Sequence, residues 1–341
     1  MAMHDISSTV VASTFKNVWS ENTGGSGAIK LHLREIVTLA QENLGSNRWA
    51  VKQAAAITLA SICTSLGKDI TKDQVDVVYP AMVSAVGGKS WDGKEKVLEG
   101  YVELVVNLRD IPNGERNAEA KKIVIREAKR NNKAYQAQAL KSLSKFVGHM
   151  EEVDFFDEVQ EIVSSALEEE GEEEQGDKMD IDVKGGKAVR STRHTIYFHS
   201  LEALGQAFRP KFYKSEDNLV KVIGYITKSP LGLHLNYEGK VVQAEVVETL
   251  TSRLTNPLKN TTVLRMWDFL VPLASDRGSE ELRTKAVKGG VVNLARLAKG
   301  MGESEKDLKI KVKGDIEKMA GDERSPLLRA ALEEAVEGLQ G

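Results

Sequence analysis

Apolar side chains recur along this chain at helical spacing rather than in alternation. Between Trp49 and Leu66, Trp49, Ala56, Ala60 and Cys63 fall on one stripe, and Ala55, Leu59, Ile62 and Leu66 on a second. A helix apolar along two stripes is buried on two sides, as the inner layer of a two-layer stack is. Val97, Leu98, Tyr101, Val102, Val105 and Leu108 repeat the pattern, and so do Leu140, Leu143, Phe146 and Val147. Val242, Val246, Leu250 and Leu254 form a further copy, and Val287, Val291, Leu294 and Ala298 another. Between these copies lie segments apolar on one side only, near 28–44, 71–86, 115–130, 153–168, 215–228, 262–275 and 304–320. This order predicts an all-α chain without a sheet. Thr71-Lys-Asp-Gln74 reads as a capping box opening one of the one-sided helices. Pro80, inside that helix, removes a backbone hydrogen bond and is expected to bend it.

The copies share a period. Trp49 and Trp91 each stand three residues before a lysine, Lys52 and Lys94, and are 42 residues apart; Tyr135 follows 44 later. Later copies open near Lys240 and Arg283, 43 apart, and the last near Leu328. Such spacing matches the roughly 40–47 residues of HEAT and armadillo repeats, not the roughly 33–34 of ankyrin or tetratricopeptide repeats. The fold expected is a HEAT-like helical-repeat solenoid of about seven helix pairs, one continuous array over 1–341. Trp49 and Trp91 are then equivalent residues, each starting a buried helix. The interval from Tyr135 to the next copy, near His194, is too long by about one loop. The surplus falls on 168–187, acidic and glycine-rich, which lacks the apolar surface needed to stay ordered. It reads as a disordered loop inserted between the two helices of one repeat, a solvated tether.

Charge refines this picture. Net charge is −3, but Glu168 to Asp182 holds nine carboxylates and one lysine, leaving a remainder near +5. That is well short of the basic footprint of a nucleic-acid binder, so no nucleic-acid partner is expected. The single cysteine, Cys63, excludes an internal disulfide and a zinc site of the usual spacing, and points to a reducing compartment, cytosol or nucleus. No run of 18 apolar residues exists, so no membrane span is expected. The start, Met1-Ala-Met-His-Asp5, lacks the features of a signal peptide. Asn260-Thr-Thr262 matches a glycosylation sequon, a chance match in a cytosolic protein.

Motifs of chemistry are missing: there is no Walker sequence, dinucleotide fingerprint, nucleophile elbow or HExxH. Gly24-Gly25-Ser26-Gly27 lacks the lysine of a phosphate loop and reads as a flexible turn. His194 and His199, five apart, point in different directions on a helix; His32 and Glu35 read as a surface polar pair. The acidic stretch lacks the ligand positions of a calcium loop. No catalytic, cofactor-binding or metal-ligating residue is assigned. Trp19, Trp49, Trp91 and Trp267 read as packing at repeat junctions.

Two stretches carry a more specific signal. Val18-Trp19-Ser20-Glu21-Asn22-Thr23-Gly24-Gly25-Ser26-Gly27-Ala28-Ile29-Lys30-Leu31 resembles the V-W-x-E-N…G-S…G-[IA]-[KR]-L stretch near the C-terminal end of the proteasome adaptor and scaffold family, the ECM twenty-nine family. Gly88-Lys89-Ser90-Trp91-Asp92-Gly93-Lys94-Glu95 resembles that family's G-[KR]-[ST]-W-x-G-K-E motif, and the separation fits. Trp19, Glu21, Asn22, Gly27, Lys30, Trp91, Gly93, Lys94 and Glu95 are the family-like positions. The resemblance implies the C-terminal HEAT-repeat portion of a longer, non-catalytic scaffold. It also implies proteasome subunits as partners, bridged core and regulatory particles, a part in proteasome assembly and quality control, and residence in cytoplasm and nucleus. Another HEAT scaffold, a nuclear-transport receptor or a phosphatase scaffold, is the alternative.

Overall fold

The computed structural model describes residues 26–108, 114–168, 192–213, 215–228, 235, 237–255, 258–299 and 306–340. Trp19, Glu21, Asn22 and almost all of the acidic stretch lie outside them. Among the described residues there are helices and turns but no strand. The helices group into two compact units, Met1–His149 and Met150–Gly341.

In the first unit, a short helix α1 (Ser26–Leu31) precedes three pairs. These are α2 (Leu33–Leu44) with α3 (Trp49–Leu66), α4 (Lys72–Val86) with α5 (Lys94–Asn107), and α6 (Gly114–Ala128) with α7 (Lys133–His149). The inner helices α3, α5 and α7 pack successively on one another, and α2 packs on α4 outside them. Both apolar stripes of α3 are buried at Ala55, Ala56, Leu59, Ile62, Cys63 and Leu66. The thiol of Cys63 is pushed up to about 12 by burial, which makes it a packing group rather than a nucleophile. The capping box forms: the Thr71 side chain accepts from Gln74 N at 3.4 Å, and Gln74 Oε1 accepts from Thr71 N at 3.0 Å. Pro80 lies inside α4. Ser26 and Gly27, expected in a turn, begin α1.

Inner helices approach closely at Gly100 of α5. A Cβ there would lie 2.5 Å from Cα of Ala60 on α3, and backbone cannot move aside as a flexible side chain can. Gly100→Ala is therefore expected to cost about 1–3 kcal/mol by overpacking. Urea unfolding of the variant should show a lower midpoint at unchanged slope; an unchanged midpoint would show that the helices separate freely.

The second unit holds four pairs. They are α8 (Phe156–Glu168) with α9 (Thr192–Ala207), α10 (Asp217–Thr227) with α11 (Tyr237–Arg253), α12 (Asn260–Ala274) with a composite inner helix, and α15 (Lys306–Asp322) with α16 (Pro326–Gln340). The composite helix runs through α13 (Glu280–Lys285), a π-helical turn over Ala286–Val291, and α14 (Val292–Lys299). Val242, Val246, Leu250, Leu254, Val287, Val291, Leu294 and Ala298 are all buried, as their spacing predicts.

Side chains record the period directly. Within the first unit Asp76 pairs with Arg116, Glu103 with Lys145, and the Tyr79 hydroxyl donates to Glu119. Within the second, Glu245 pairs with Lys285, Asp268 with Lys311, and Arg283 with Glu323. These partners are 40–43 residues apart, so within each unit successive repeats touch at matching positions. Two arginines carry a sharper version of this contact. Arg253 donates to the carbonyls of Gly205 at 2.6 Å and Phe208 at 3.0 Å, at the C-terminal end of α9. Arg296 does the same for Thr251 at 3.3 Å and Leu254 at 3.1 Å, at the end of α11. The last carbonyls of a helix have no partner within it, so each clamp finishes the preceding inner helix.

Candidate functional site

The motif Gly88–Glu95 spans the turn from α4 to α5 and the first two residues of α5. Gly88 has φ 71° and Gly93 φ 108°, a left-handed region that favours glycine. At Gly93 a Cβ would also lie 2.9 Å from the Trp91 ring. Glu95 Oε2 accepts from Gly93 N at 2.8 Å, closing the entry to α5. Lys94 points inward and is fully buried. Its ammonium donates to the Gly88 carbonyl and pairs with Glu127 of α6, each at 3.1 Å.

Glu127 is the centre of this junction. Its buried carboxylate also accepts from Arg130, from Arg126 at 2.8 Å, and from the Tyr135 hydroxyl of α7 at 2.9 Å. Arg130 reaches back to the Gly88 carbonyl at 2.7 Å. Burial pushes the Glu127 carboxyl up, but the donors Arg130, Lys94 and Tyr135 together hold it below the usual glutamate range, so it stays ionised. The motif turn is thereby fastened to α6 and α7. Gly93, Lys94 and Glu95 thus have internal, positioning roles, whereas Trp91 faces outward in part.

Trp91 and Trp49 meet edge to face with centroids 5.9 Å apart, and the Lys52 ammonium lies 4.6 Å over the Trp91 ring. The two tryptophans mark the same end of successive inner helices, but their register differs. Trp49 is the first residue of α3, whereas Trp91 is separated from α5 by the two residues Asp92 and Gly93. Lys52 and Lys94 are correspondingly unlike, one outside on an aromatic face and the other buried. Trp49 is also 45% exposed, where packing inside a junction is expected. Trp267 does fit that expectation: it is fully buried on α12 and its indole donates to Asp315 of α15 at 2.8 Å.

Of the first motif, Gly27 and Lys30 lie on α1. His199 Nδ1 and Glu202 of α9 are 2.6 Å apart, and His194 packs against the ring of Phe198. No group of three or more metal-ligating side chains occurs among the described residues. No helix among them is long and apolar enough to cross a membrane.

The sequence carries a signal for the partner of Lys94 that the motif alone does not give. Ile123, Val124, Glu127 and Ala128 fall on one buried stripe of α6, so a lone carboxylate sits where an apolar residue is expected and requires a buried cation.

Comparison with known families decides the affiliation. The model for "ECM29, C-terminal ARM-like repeats" matches residues 111–338. The chain belongs to this family. The ECM29 repeats so matched include Glu127, Arg130 and Tyr135, which hold the turn, while Gly88–Glu95 precedes the matched span. Among relatives, "Proteasome component ecm29" of Schizosaccharomyces pombe is 28% identical over 141 residues, 41% of this chain and 8% of that protein. The human "Proteasome adapter and scaffold protein ECM29" is 25% identical over 219 residues, 61% of this chain and 12% of that protein. The chain thus spans a small fraction of the length of these ECM29 relatives. The crystal structure of an engineered protein aligns over 100% of this chain and 77% of its own at a TM-score of 0.55 with 14% identity, a likeness of fold alone.

Proposed function

We propose that this chain is a proteasome-binding segment of an adaptor and scaffold, acting without catalysis in cytoplasm and nucleus. In this reading it helps hold core and regulatory particles together during assembly and quality control. The observation that carries the reading is the family match over 111–338, joined to relatives that bear the names proteasome component and proteasome adapter. Stacked repeats suit such a role, because they offer long side-chain-rich surfaces and need no active site. The apolar stripes of the inner helices are consumed by stacking, so contacts would use turns, helix ends and outer helices.

Purified chain should co-sediment with intact proteasomes and leave their peptidase activity unchanged. A pull-down from cell extract that returns transport-receptor components or a phosphatase catalytic subunit instead would favour the alternative scaffolds. A chain that stays in the supernatant, although full-length parent protein sediments with proteasomes, would place the contact outside this segment.

A further inference from the structure

The buried Glu127 carboxylate is shared by Lys94, Arg126 and Arg130. One negative charge against three cations leaves the junction positive, and the helix that carries it adds more. Residues 114–133, α6 and the turn after it, hold seven lysines and arginines against Glu115, Glu119 and Glu127, a net charge of +4. Glu119 is itself engaged by the Tyr79 hydroxyl at 2.8 Å. This local excess is most of the positive excess of about +5 that the chain carries outside its acidic stretch. The charge is therefore gathered on α6 and the turn after it rather than spread over the surface.

Geometry makes a face of it. Lys122, Arg126 and Lys129 are exposed and stand at i, i+4 and i+7, one stripe of the helix. With Lys121, Ile125 and Arg130 they line an open groove, in which Ile125 is a half-buried apolar floor.

We propose that this face of α6 docks an acidic polypeptide segment of a partner protein, with carboxylates on Lys122, Arg126 and Lys129 and one apolar side chain over Ile125. Charge complementarity sets the sign of the partner. The groove lining contains no aromatic ring, so it offers no platform on which unpaired nucleic-acid bases stack. An apolar floor between cations instead suits a segment that lies along one helix face. This goes beyond the proteasome reading, since it names a partner chemistry that holds whether or not the partner is a proteasome subunit.

The test is fluorescence anisotropy of the full chain with three labelled probes. One is a glutamate-rich peptide carrying spaced leucines, one its glutamine counterpart, and one a single-stranded RNA of similar length. The acidic peptide should bind about tenfold or more tightly than the glutamine peptide at low salt. That advantage should fade between about 50 mM and about 500 mM salt, as exposed charges are screened. Lys122→Glu with Lys129→Glu should weaken acidic-peptide binding by about tenfold or more, and Lys122→Gln with Lys129→Gln by less. The glutamine pair decides the matter if the charge-reversed chain loses its helical circular dichroism. Equal binding of the two peptides, unchanged binding by a folded variant, or tighter binding of the RNA each overturns the proposal. Proteasome co-sedimentation is read separately, so either idea can fail alone.

Discussion

Replacing Glu127 with alanine is expected to cost about 3–5 kcal/mol of stability, because it leaves a buried charge without its partner. Lys94 is fully buried and would keep the Gly88 carbonyl and the face of the Tyr135 ring, but no anion. Burial already pushes the Lys94 ammonium below the ordinary lysine range, with Glu127 opposing that push. Lys94→Met should cost less than Glu127→Ala, since Glu127 would retain Arg126, Arg130 and Tyr135. The order of the two effects tests the assignment of Glu127 as the centre. Equal losses would mean that Lys94 and Glu127 act only as an isolated pair. The pH dependence has a definite sign. A carboxyl depressed in the folded state contributes stability above its unfolded pKa, and this is lost as pH falls through the folded value. The difference between wild type and Glu127→Gln should therefore be large at neutral pH and shrink in acid, as pH falls below the usual glutamate range. Urea titrations across that range measure it.

Trp267→Ala should cost a comparable amount, about 3–5 kcal/mol, from lost burial and the cavity left behind. Trp267 is fully enclosed and ties α12 to α15 through Asp315. Trp267→Phe keeps part of the volume and removes the hydrogen bond to the Asp315 carboxylate, worth about 1.5–3 kcal/mol. Hydrogen exchange adds a spatial check. In a stack of repeats the loss should concentrate in adjoining elements, with α12 and α15 opening faster while α3 and α5 keep their protection. Uniform loss along the chain would contradict nearest-neighbour coupling.

Most of the architecture is legible in the apolar spacing, and the reason is physical. Each inner helix is buried on two sides, so both of its stripes are constrained at once, and Val242, Val246, Leu250 and Leu254 reveal the period without any alignment. Polar long-range partners leave no such trace. Lys94 and Glu127 lie 33 residues apart on different helices, and lysine in a motif reads as a surface residue until its neighbour is found. Trp91 shows the same limit at a finer scale. Matching it to Trp49 by the following lysine gives the correct end of the correct helix, but the turn Asp92-Gly93 inserts itself between tryptophan and helix, so that Lys52 lies half-buried on an aromatic ring while Lys94 is fully buried. Gly289-Gly290 carries information that spacing does not decode. Cβ atoms there would lie 2.5 Å from the Glu248 side chain and 2.7 Å from that of Leu270, so these glycines admit close neighbours on both sides of a π-helical turn.

The arginine clamps give the second unit a direction. Arg253 completes the end of α9 from the following pair, and Arg296 completes the end of α11 in the same sense. A chain emerging from the ribosome presents the Leu254 carbonyl 42 residues before Arg296 is available to cover it. The ends of α9 and α11 are therefore finished by residues that are translated later, and their last carbonyls lack these partners until the next pair arrives. A stall or premature stop would leave the most recent helix open while older ones are already sealed. The growing end of the chain, rather than its start, is the place where a chaperone would find exposed backbone.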